Sequence, residues 1–300
     1  MLQAQTARAV GPARIDIVYE RHGSPADPPL LLVMGLGAQL LNWPDGLVDA
    51  LVSRGLQVIR FDNRDAGRST YLDVPAPDFA AVLAGDFSTV PYTLSDMAAD
   101  TVGLLDALGI GAAHVAGASM GGAIAQVMAI EHRERVLSLT SIMSTTGDPA
   151  VGQMHEETRN AVFGGPPATT REAAIERALR TAPLTRSPAF PTSPEEIARR
   201  VGKAWDRSPN HDVAGWIRQG AATVAAGDRT AKLHTLDVPA LVIHGTADTV
   251  CDASGGRATA AAIAGAEFVE IEGMAHDLPQ GLWERLADHV AKLIRDAQAR

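Results

Sequence analysis

Cysteine is nearly absent from this sequence, since Cys251 is the only one among 300 residues. A single thiol excludes an intrachain disulfide, and the composition therefore favours a reducing compartment. Residues 1–10 contain no apolar run of the length that a signal peptide needs, and no stretch approaches the ~18 apolar residues of a membrane span. We expect a soluble, cytoplasmic protein.

Positive charge is also scarce, because 26 Lys and Arg are outnumbered by 35 Asp and Glu and the net charge is −9 at pH 7. This balance disfavours nucleic acid and an anionic membrane surface as partners. The sequence also lacks a Gly-rich phosphate loop, a cluster of metal ligands and a dinucleotide-binding fingerprint. We therefore expect no cofactor and no metal, and a small molecule as the partner.

Apolar residues are plentiful at 46%, in short runs that alternate with segments of helical spacing. The alternating stretch 14–20 is typical of an antiparallel edge strand, and residues 72–92 are predicted to be irregular. The other predicted strands are 30–34, 56–61, 114–116, 136–143, 240–244 and 266–271, and the predicted helices around them are 43–53, 93–108, 120–132, 254–264 and 281–297. This alternation predicts an α/β fold with a mostly parallel sheet flanked by helices.

The alternation stops between residues 145 and 236, where no strong apolar strand occurs. Four helical segments with Pro-rich joints take its place, at 154–163, 170–181, 194–206 and 212–226. Ser193 before Pro194 is a good helix start. We predict a core made of 1–144 and 237–300, with 145–236 inserted as a helical cap or lid.

One tight turn carries the strongest functional motif, Gly117-Ala118-Ser119-Met120-Gly121, between an apolar strand and a helix. A strand that turns this sharply into a helix leaves almost no room for a Cβ at either glycine, and it pushes the serine hydroxyl outward. The helix N-terminus that follows favours negative charge. A plain helix-capping serine is the alternative, but it does not account for glycines on both sides.

A nucleophilic serine needs a base and an orienting acid, and in parallel sheets such groups collect at the carboxyl ends of strands. Asp248 follows the strand 240–244, and His276 follows the strand 266–271. We predict Ser119, Asp248 and His276 as a catalytic triad. Alternatives for the acid are Asp148 and Asp252. Of the other histidines, His244 lies at a strand end and His155 in the insertion.

An oxyanion hole requires two backbone N–H groups near the nucleophile. We predict those of Met120, directly after the serine, and of Leu36, in the loop after the first buried strand. Gly35 and Gly37 keep side chains away from that loop. Residues 62–69 show no pattern of nucleophile or metal ligands, and we interpret them as a hydrogen-bonded structural loop near the site. We expect the thiol of Cys251 to be buried and not to be a nucleophile.

The chain order Ser…Asp…His is that of the α/β-hydrolases, and the motifs resemble the aclacinomycin methylesterase type within that superfamily. The segments that carry the resemblance are Leu32-Val33-Met34-Gly35, Trp43-Pro44, Val58-Ile59-Arg60-Phe61-Asp62, Arg64-Asp65, Gly67-Arg68-Ser69, Ser119-Met120-Gly121, Gly273-Met274 and Ala275-His276. That family hydrolyses carboxylic esters, and the substrate of aclacinomycin methylesterase is a methyl ester on a polyketide. The resemblance implies the same triad and oxyanion hole, but it does not extend to the cap.

We therefore expect a serine carboxylic-ester hydrolase that acts on short to medium acyl esters or methyl esters. The same triad can act on an amide, thioester, lactone or carbon–carbon bond, or in perhydrolysis, and a non-catalytic binding protein on this scaffold is a further alternative. The pocket is expected between sheet and cap. Candidates to line it are Trp43, Met143, Met154, His155, Phe163, Trp205 and Trp216.

Overall fold

An eight-stranded sheet crosses the protein in the computed structural model, which describes residues 4–299. Its strands are β1 (Gln5–Val10), β2 (Ile15–His22), β3 (Pro29–Val33), β4 (Gln57–Phe61), β5 (Ala113–Ala118), β6 (Val136–Ile142), β7 (Ala240–Gly245) and β8 (Glu267–Ile271). They lie in the order β1-β2-β4-β3-β5-β6-β7-β8. Strand β2 is antiparallel to both neighbours, and β3 to β8 pair in parallel. The predicted α/β class is confirmed.

Helices cover both faces of the sheet. Those outside the region between β6 and β7 are α1 (Asp45–Val52), α2 (Phe79–Leu83), α3 (Leu94–Ala107), α4 (Met120–Glu131), α10 (Ser254–Ala262) and α11 (Trp283–Gln298). Along β3, Leu31 and Val33 pack into one buried cluster with α3 and α4, whereas Leu30 and Leu32 pack into another with α1 and α11. A strand buried on both faces needs a continuous apolar run, which explains its sequence.

Two predictions about the N-terminal third are wrong. Residues 14–20 do not form an edge strand, because β1 pairs along β2 and covers it. The strand β1 shows no alternation in the sequence, because only Ala7 and Val10 of its residues are buried and its pairing register with β2 shifts between them. The stretch 72–92 also contains the short helix α2, which begins where the Asp78 carboxylate accepts from the N–H groups of Ala80 and Ala81.

Five helices occupy the connection between β6 and β7, which we call the insertion (residues 143–239). They are α5 (Glu156–Phe163), α6 (Arg171–Thr185), α7 (Pro194–Arg207), α8 (Ala214–Ala225) and α9 (Thr230–Leu233), and none of the described residues between them is in a strand. Ser193 accepts from the N–H of Glu196 at 3.2 Å, as predicted for the cap of α7. Within residues 4–299, no helix is long and apolar enough to cross a membrane.

Candidate active site

The turn from β5 to α4 holds Ser119 in a strained backbone conformation, with φ 57° and ψ −123°. A non-glycine residue in this region costs on the order of 1–3 kcal/mol and persists only where its surroundings impose it. Here the Ser119 N–H donates to the carbonyl of Ile142 at 2.9 Å, and its carbonyl accepts from Gly122 at 2.8 Å. The strain therefore comes from backbone contacts on both sides of the serine.

The two motif glycines have the steric role that the sequence predicts. A Cβ built on Gly117 would overlap the carbonyl of Gly121, and a Cβ built on Gly121 would overlap the carbonyl of Val33. Both obstacles are backbone atoms, which cannot turn aside as a side chain can. The turn thus accepts only glycine at these two positions.

Three side chains from three strand ends meet at this turn. His276 Nε2 lies 3.0 Å from Ser119 Oγ, and His276 Nδ1 lies 2.8 Å from Asp248 Oδ2. Asp248 follows β7 and His276 follows β8, so parallel pairing of these strands brings both residues to the same edge of the sheet as Ser119. The structure therefore brings the three predicted residues together in one hydrogen-bonded line.

The surroundings of Asp248 keep it ionised. Its Oδ1 accepts from the N–H groups of Val250 and Cys251, each at 2.9 Å. Burial raises the pKa of Asp248, but the charge on His276 and the hydrogen bonds from neighbouring donors outweigh burial and hold that pKa well below its usual range. A charged Asp248 holds a proton on His276 Nδ1, which leaves Nε2 free to accept from the serine hydroxyl.

The alternative residues have other hydrogen-bond partners, although His244 Nε2 also lies 3.4 Å from Asp248 Oδ2. The Asp148 carboxylate accepts from Ala150 in its own turn, and that of Asp252 accepts from Ser254. His244 is wholly buried, and its Nε2 donates to the carbonyl of Cys251 at 2.7 Å. Burial raises the pKa of the Cys251 thiol, in keeping with a thiol that is not a nucleophile.

The loop after β3 lies against Ser119. A Cβ on Gly35 would be 3.0 Å from Ser119 Cβ, and Leu36 follows directly. Met120 is the first residue of α4, so its N–H has no acceptor within the helix. The N–H of Gly37 donates to Gln219 Oε1 at 2.7 Å, which fixes this loop from helix α8. Gln219 escapes prediction because a single polar residue in an inserted helix belongs to no motif.

The loop of residues 62–69 is a structural loop, as predicted, and it connects the sheet to the insertion. Asp62 is buried and accepts from the N–H of Leu40 at 2.7 Å and from Arg207 Nη1 at 2.7 Å. Asp65 accepts two hydrogen bonds from Arg218, at 2.9 and 2.6 Å. Because both arginines come from the insertion, this loop couples helices α7 and α8 to the loop beside Ser119.

A cavity of about 550 Å³ lies between these loops and the helices of the insertion. Phe163, Trp205 and Trp216, three of the predicted pocket residues, line this cavity, and so does Gly37. The rings of Phe163 and Trp216 lie 5.3 Å apart, and Trp205 stacks on His211 at 3.9 Å. The cavity therefore presents flat apolar surfaces beside the loop that contains Leu36.

Four predicted pocket residues are not among those that line this cavity. Trp43 and Met143 are buried in the hydrophobic cluster on the α1 and α11 side of the sheet. Met154 and His155 lie near the loop of Asp248, where His155 Nε2 is 3.5 Å from Asp252 Oδ2. The sequence cannot separate core from pocket here, because the orientation of an aromatic ring depends on packing between distant segments.

Comparison with known proteins identifies relatives of this chain. A sequence profile described as the alpha/beta hydrolase fold matches residues 28–279. Rhodomycin D methylesterase DnrP of Streptomyces peucetius is 31% identical over 293 residues, which cover 92% of this chain and 93% of that protein. These matches confirm the methylesterase-type resemblance of the sequence motifs.

Solved structures with a similar fold include two further hydrolases. A meta-cleavage product hydrolase of Pseudomonas fluorescens superposes with a TM-score of 0.75 at 20% identity, over 99% of this chain and 98% of that one. The enol-lactonase of Burkholderia xenovorans gives a TM-score of 0.71 at 24% identity, over 99% and 100%. At such identities the likeness shows the fold alone, and it agrees with the predicted α/β-hydrolase fold.

Proposed function

The chain belongs to the α/β-hydrolase family and is a carboxylic ester hydrolase, and we propose that Ser119, His276 and Asp248 perform its reaction. The observation that carries this proposal is the hydrogen-bonded line from the Ser119 hydroxyl through the His276 ring to the Asp248 carboxylate. A serine hydroxyl is a weak nucleophile at neutral pH, and an imidazole held by a carboxylate is one of the groups that activate it.

The first half of the reaction forms an acyl-enzyme. Ser119 Oγ attacks the ester carbonyl carbon while His276 Nε2 accepts the hydroxyl proton, and Asp248 stabilises the imidazolium that results. The carbonyl oxygen becomes an oxyanion and accepts hydrogen bonds from the N–H groups of Met120 and Leu36. When the tetrahedral intermediate collapses, the bond to the alkoxy oxygen breaks and His276 gives its proton to the leaving alcohol.

The second half releases the acid. A water molecule gives a proton to His276 Nε2 and attacks the acyl carbon, and the same two N–H groups bind the new oxyanion. Collapse breaks the bond to Ser119 Oγ, which takes back the proton from His276. The carboxylic acid leaves, and each catalytic residue is back in its starting protonation state.

We also propose that residues 145–236 act as a cap that shapes the substrate site. Its aromatic side chains Phe163, Trp205 and Trp216 would contact the apolar part of an ester, beside the loop of Leu36. A volume of about 550 Å³ is within the usual range for small-molecule sites. The methylesterase among the relatives supports methyl esters as substrates, together with short to medium acyl esters.

The test is hydrolysis of a panel of p-nitrophenyl esters of increasing acyl length and of aromatic methyl esters. Replacement Ser119→Ala should lower kcat by more than ~10³-fold, because no other group takes the place of the nucleophile. Ser95→Ala is the matched control, since Ser95 bonds Glu131 at the opposite end of α4. Wild-type hydrolysis by Ser119→Ala would refute the proposed nucleophile, whereas faster cleavage of matched amides than of esters would refute the proposed substrate class.

A further inference from the structure

We infer that Ser187, in the α6–α7 joint (residues 186–193), is a positioning residue for His276. This inference rests on the proposed function, because it requires His276 to act as the base. Ser187 belongs to the insertion, is 1% exposed, and belongs to none of the sequence motifs. What singles it out is its contact with both chain neighbours of His276.

The Ser187 hydroxyl joins the two residues that flank His276. Its Oγ accepts from the N–H of Ala275 at 2.9 Å and donates to Asp277 Oδ1. The backbone N–H of Ser187 donates to the same Asp277 oxygen at 3.1 Å. These bonds form a closed path from residue 275 through Ser187 to residue 277, so the turn that bears His276 is fixed on both sides of the imidazole.

The same part of the insertion also contacts the loop of the acid. Thr249 follows Asp248 in the chain, and its Oγ1 donates to the carbonyl of Leu184 at 2.7 Å. Leu184 lies in the last turn of α6, three residues before Ser187. One short segment therefore bonds to the loop of Asp248 and to the turn of His276, two groups that must keep a 2.8 Å hydrogen bond between them.

Buried polar groups make this arrangement sensitive to the loss of one hydroxyl. Asp277 is 6% exposed, and its Oδ2 has no hydrogen-bond partner within residues 4–299, although Arg186 Nη1 lies 3.7 Å away. Without the Ser187 hydroxyl, the N–H of Ala275 would also lose its partner, at a residue that is only 1% exposed. A turn with unpaired buried groups is expected to shift, and a displacement near 1 Å at a reacting group can lower a rate by ~10²-fold.

The experiment measures kcat and KM of Ser187→Ala together with its thermal unfolding. We expect kcat to fall between ~10-fold and ~10²-fold, while KM changes little because Ser187 does not line the cavity. The rate of covalent labelling by a fluorophosphonate probe should fall by the same factor, since that reaction uses the same base. The low-field proton resonance of the His276–Asp248 hydrogen bond should shift or broaden in the NMR spectrum.

Two matched sets of variants separate positioning from loss of stability. Ser193→Ala removes the helix cap of α7 in the same joint, with no contact to His276, and should lower Tm with unchanged kcat. Asp277→Asn keeps an oxygen that accepts from Ser187 and should retain most of the activity. Asp277→Ala removes the acceptor and should resemble Ser187→Ala.

The outcomes separate this inference from the proposed function. If His276→Ala is inactive and Ser187→Ala has wild-type kcat, the inference is wrong and the proposed function stands. Equal losses of kcat in Ser187→Ala and Ser193→Ala at matched Tm also overturn the inference. If His276→Ala hydrolyses esters normally, the proposed function is itself wrong. Loss of kcat and of the low-field resonance in Ser187→Ala, but not in Ser193→Ala, supports the positioning role.

Discussion

The turn at Ser119 and the loop after β3 form two sides of one site, but different parts of the chain hold them. Around Ser119 the constraint is backbone packing within the core, because a Cβ on Gly117 would overlap the carbonyl of Gly121 and a Cβ on Gly121 that of Val33 in β3. The loop after β3 depends on distant side chains, since Gly37 bonds to Gln219 of helix α8 and Leu40 to Asp62. One side of the site is thus held by close-packed backbone of the core, and the other by hydrogen bonds from side chains that are distant in the sequence.

A change in the insertion can alter the loop after β3, through Gln219, and the turn of His276, through Ser187, without changing the packing of the turn at Ser119. By contrast, the two motif glycines of the turn at Ser119 pack against backbone of the core and not against the insertion. If residues 145–236 form the proposed cap, substitutions there should change substrate preference while the turn at Ser119 stays in place.

The largest effect is expected from Gly121→Ala, which tests whether close packing of backbone constrains the turn at Ser119. The added Cβ would overlap the carbonyl of Val33, so either the turn or β3 must move. We expect a loss of more than about 4 kcal/mol in the free energy of unfolding, measured by denaturant titration, and no esterase activity. Gly111→Ala is the control, because a Cβ there meets nothing within 4 Å. Similar stability of the two variants would show that this packing does not constrain the turn.

The next largest effect is expected when the pH falls, and it depends on His114 in β5, the strand that leads to Ser119. His114 in β5 is buried, its Nδ1 lies 2.8 Å from Ser138 Oγ, and burial lowers its pKa from 6.5 to about 4. Between these pH values the unfolded chain binds more protons than the folded one. The stabilisation is therefore complete above pH 6.5 and is lost as pH falls towards about 4, by about 3 kcal/mol.

Replacement His114→Asn should remove this pH dependence, because an amide does not titrate. The measurement is the free energy of unfolding at neutral pH and near pH 4, compared between wild type and variant so that other titrating groups cancel. His234→Asn, at an exposed site, serves as the control. An equal loss of stability with falling pH in wild type and His114→Asn would contradict the role of His114.

The smallest effect is expected from Gln219→Leu, which tests whether helix α8 fixes the loop after β3. The substitution removes the acceptor for Gly37 and the donor to the carbonyl of Arg64, a bond of 2.6 Å. We expect kcat to fall about tenfold, because the loop of Leu36 is displaced but not lost. Affinity for a boronic acid that mimics the tetrahedral intermediate should fall with kcat, whereas KM should not.

Two further variants sharpen that test. Gln219→Glu keeps an oxygen for Gly37 and loses the donor to Arg64, so its kcat should lie between those of wild type and Gln219→Leu. Thr223→Val removes a hydrogen bond on the same helix, to the carbonyl of Gln219, and should leave kcat unchanged. Unchanged kcat and inhibitor affinity in Gln219→Leu would mean that α8 does not control the loop.

The sequence predicts most strands of the sheet, and it predicts Ser119, Asp248 and His276 as site residues, because each of these strands and residues has a local sequence pattern. Strands such as β3 are continuous apolar runs, and the three polar residues follow strand ends. Ser187 and Gln219 have no such pattern, since a polar residue in a helical insertion is usually a solvated one. Their partners lie between 88 and 182 positions away in the chain, and only the folded structure pairs them.

The predicted pocket shows the same limit for aromatic side chains. Trp43 and Trp205 both lie in segments of helical spacing, so the sequence does not distinguish them. In the structure Trp43 is 1% exposed in the core, whereas Trp205 lines the cavity. Which of them faces a substrate is decided by how helices of the insertion pack on the core. No periodicity within one segment records that packing, because it involves two distant parts of the chain.

Covalent trapping is the most direct test of whether Ser119 is the nucleophile and His276 its base. The protein is treated with a fluorophosphonate probe, and the modified residue is identified by peptide mass spectrometry in the wild type and in His276→Ala. We expect one adduct, on Ser119, that forms much more slowly in His276→Ala because Ser119 then lacks its base. An adduct on another residue, or none on a protein that hydrolyses esters, would contradict it.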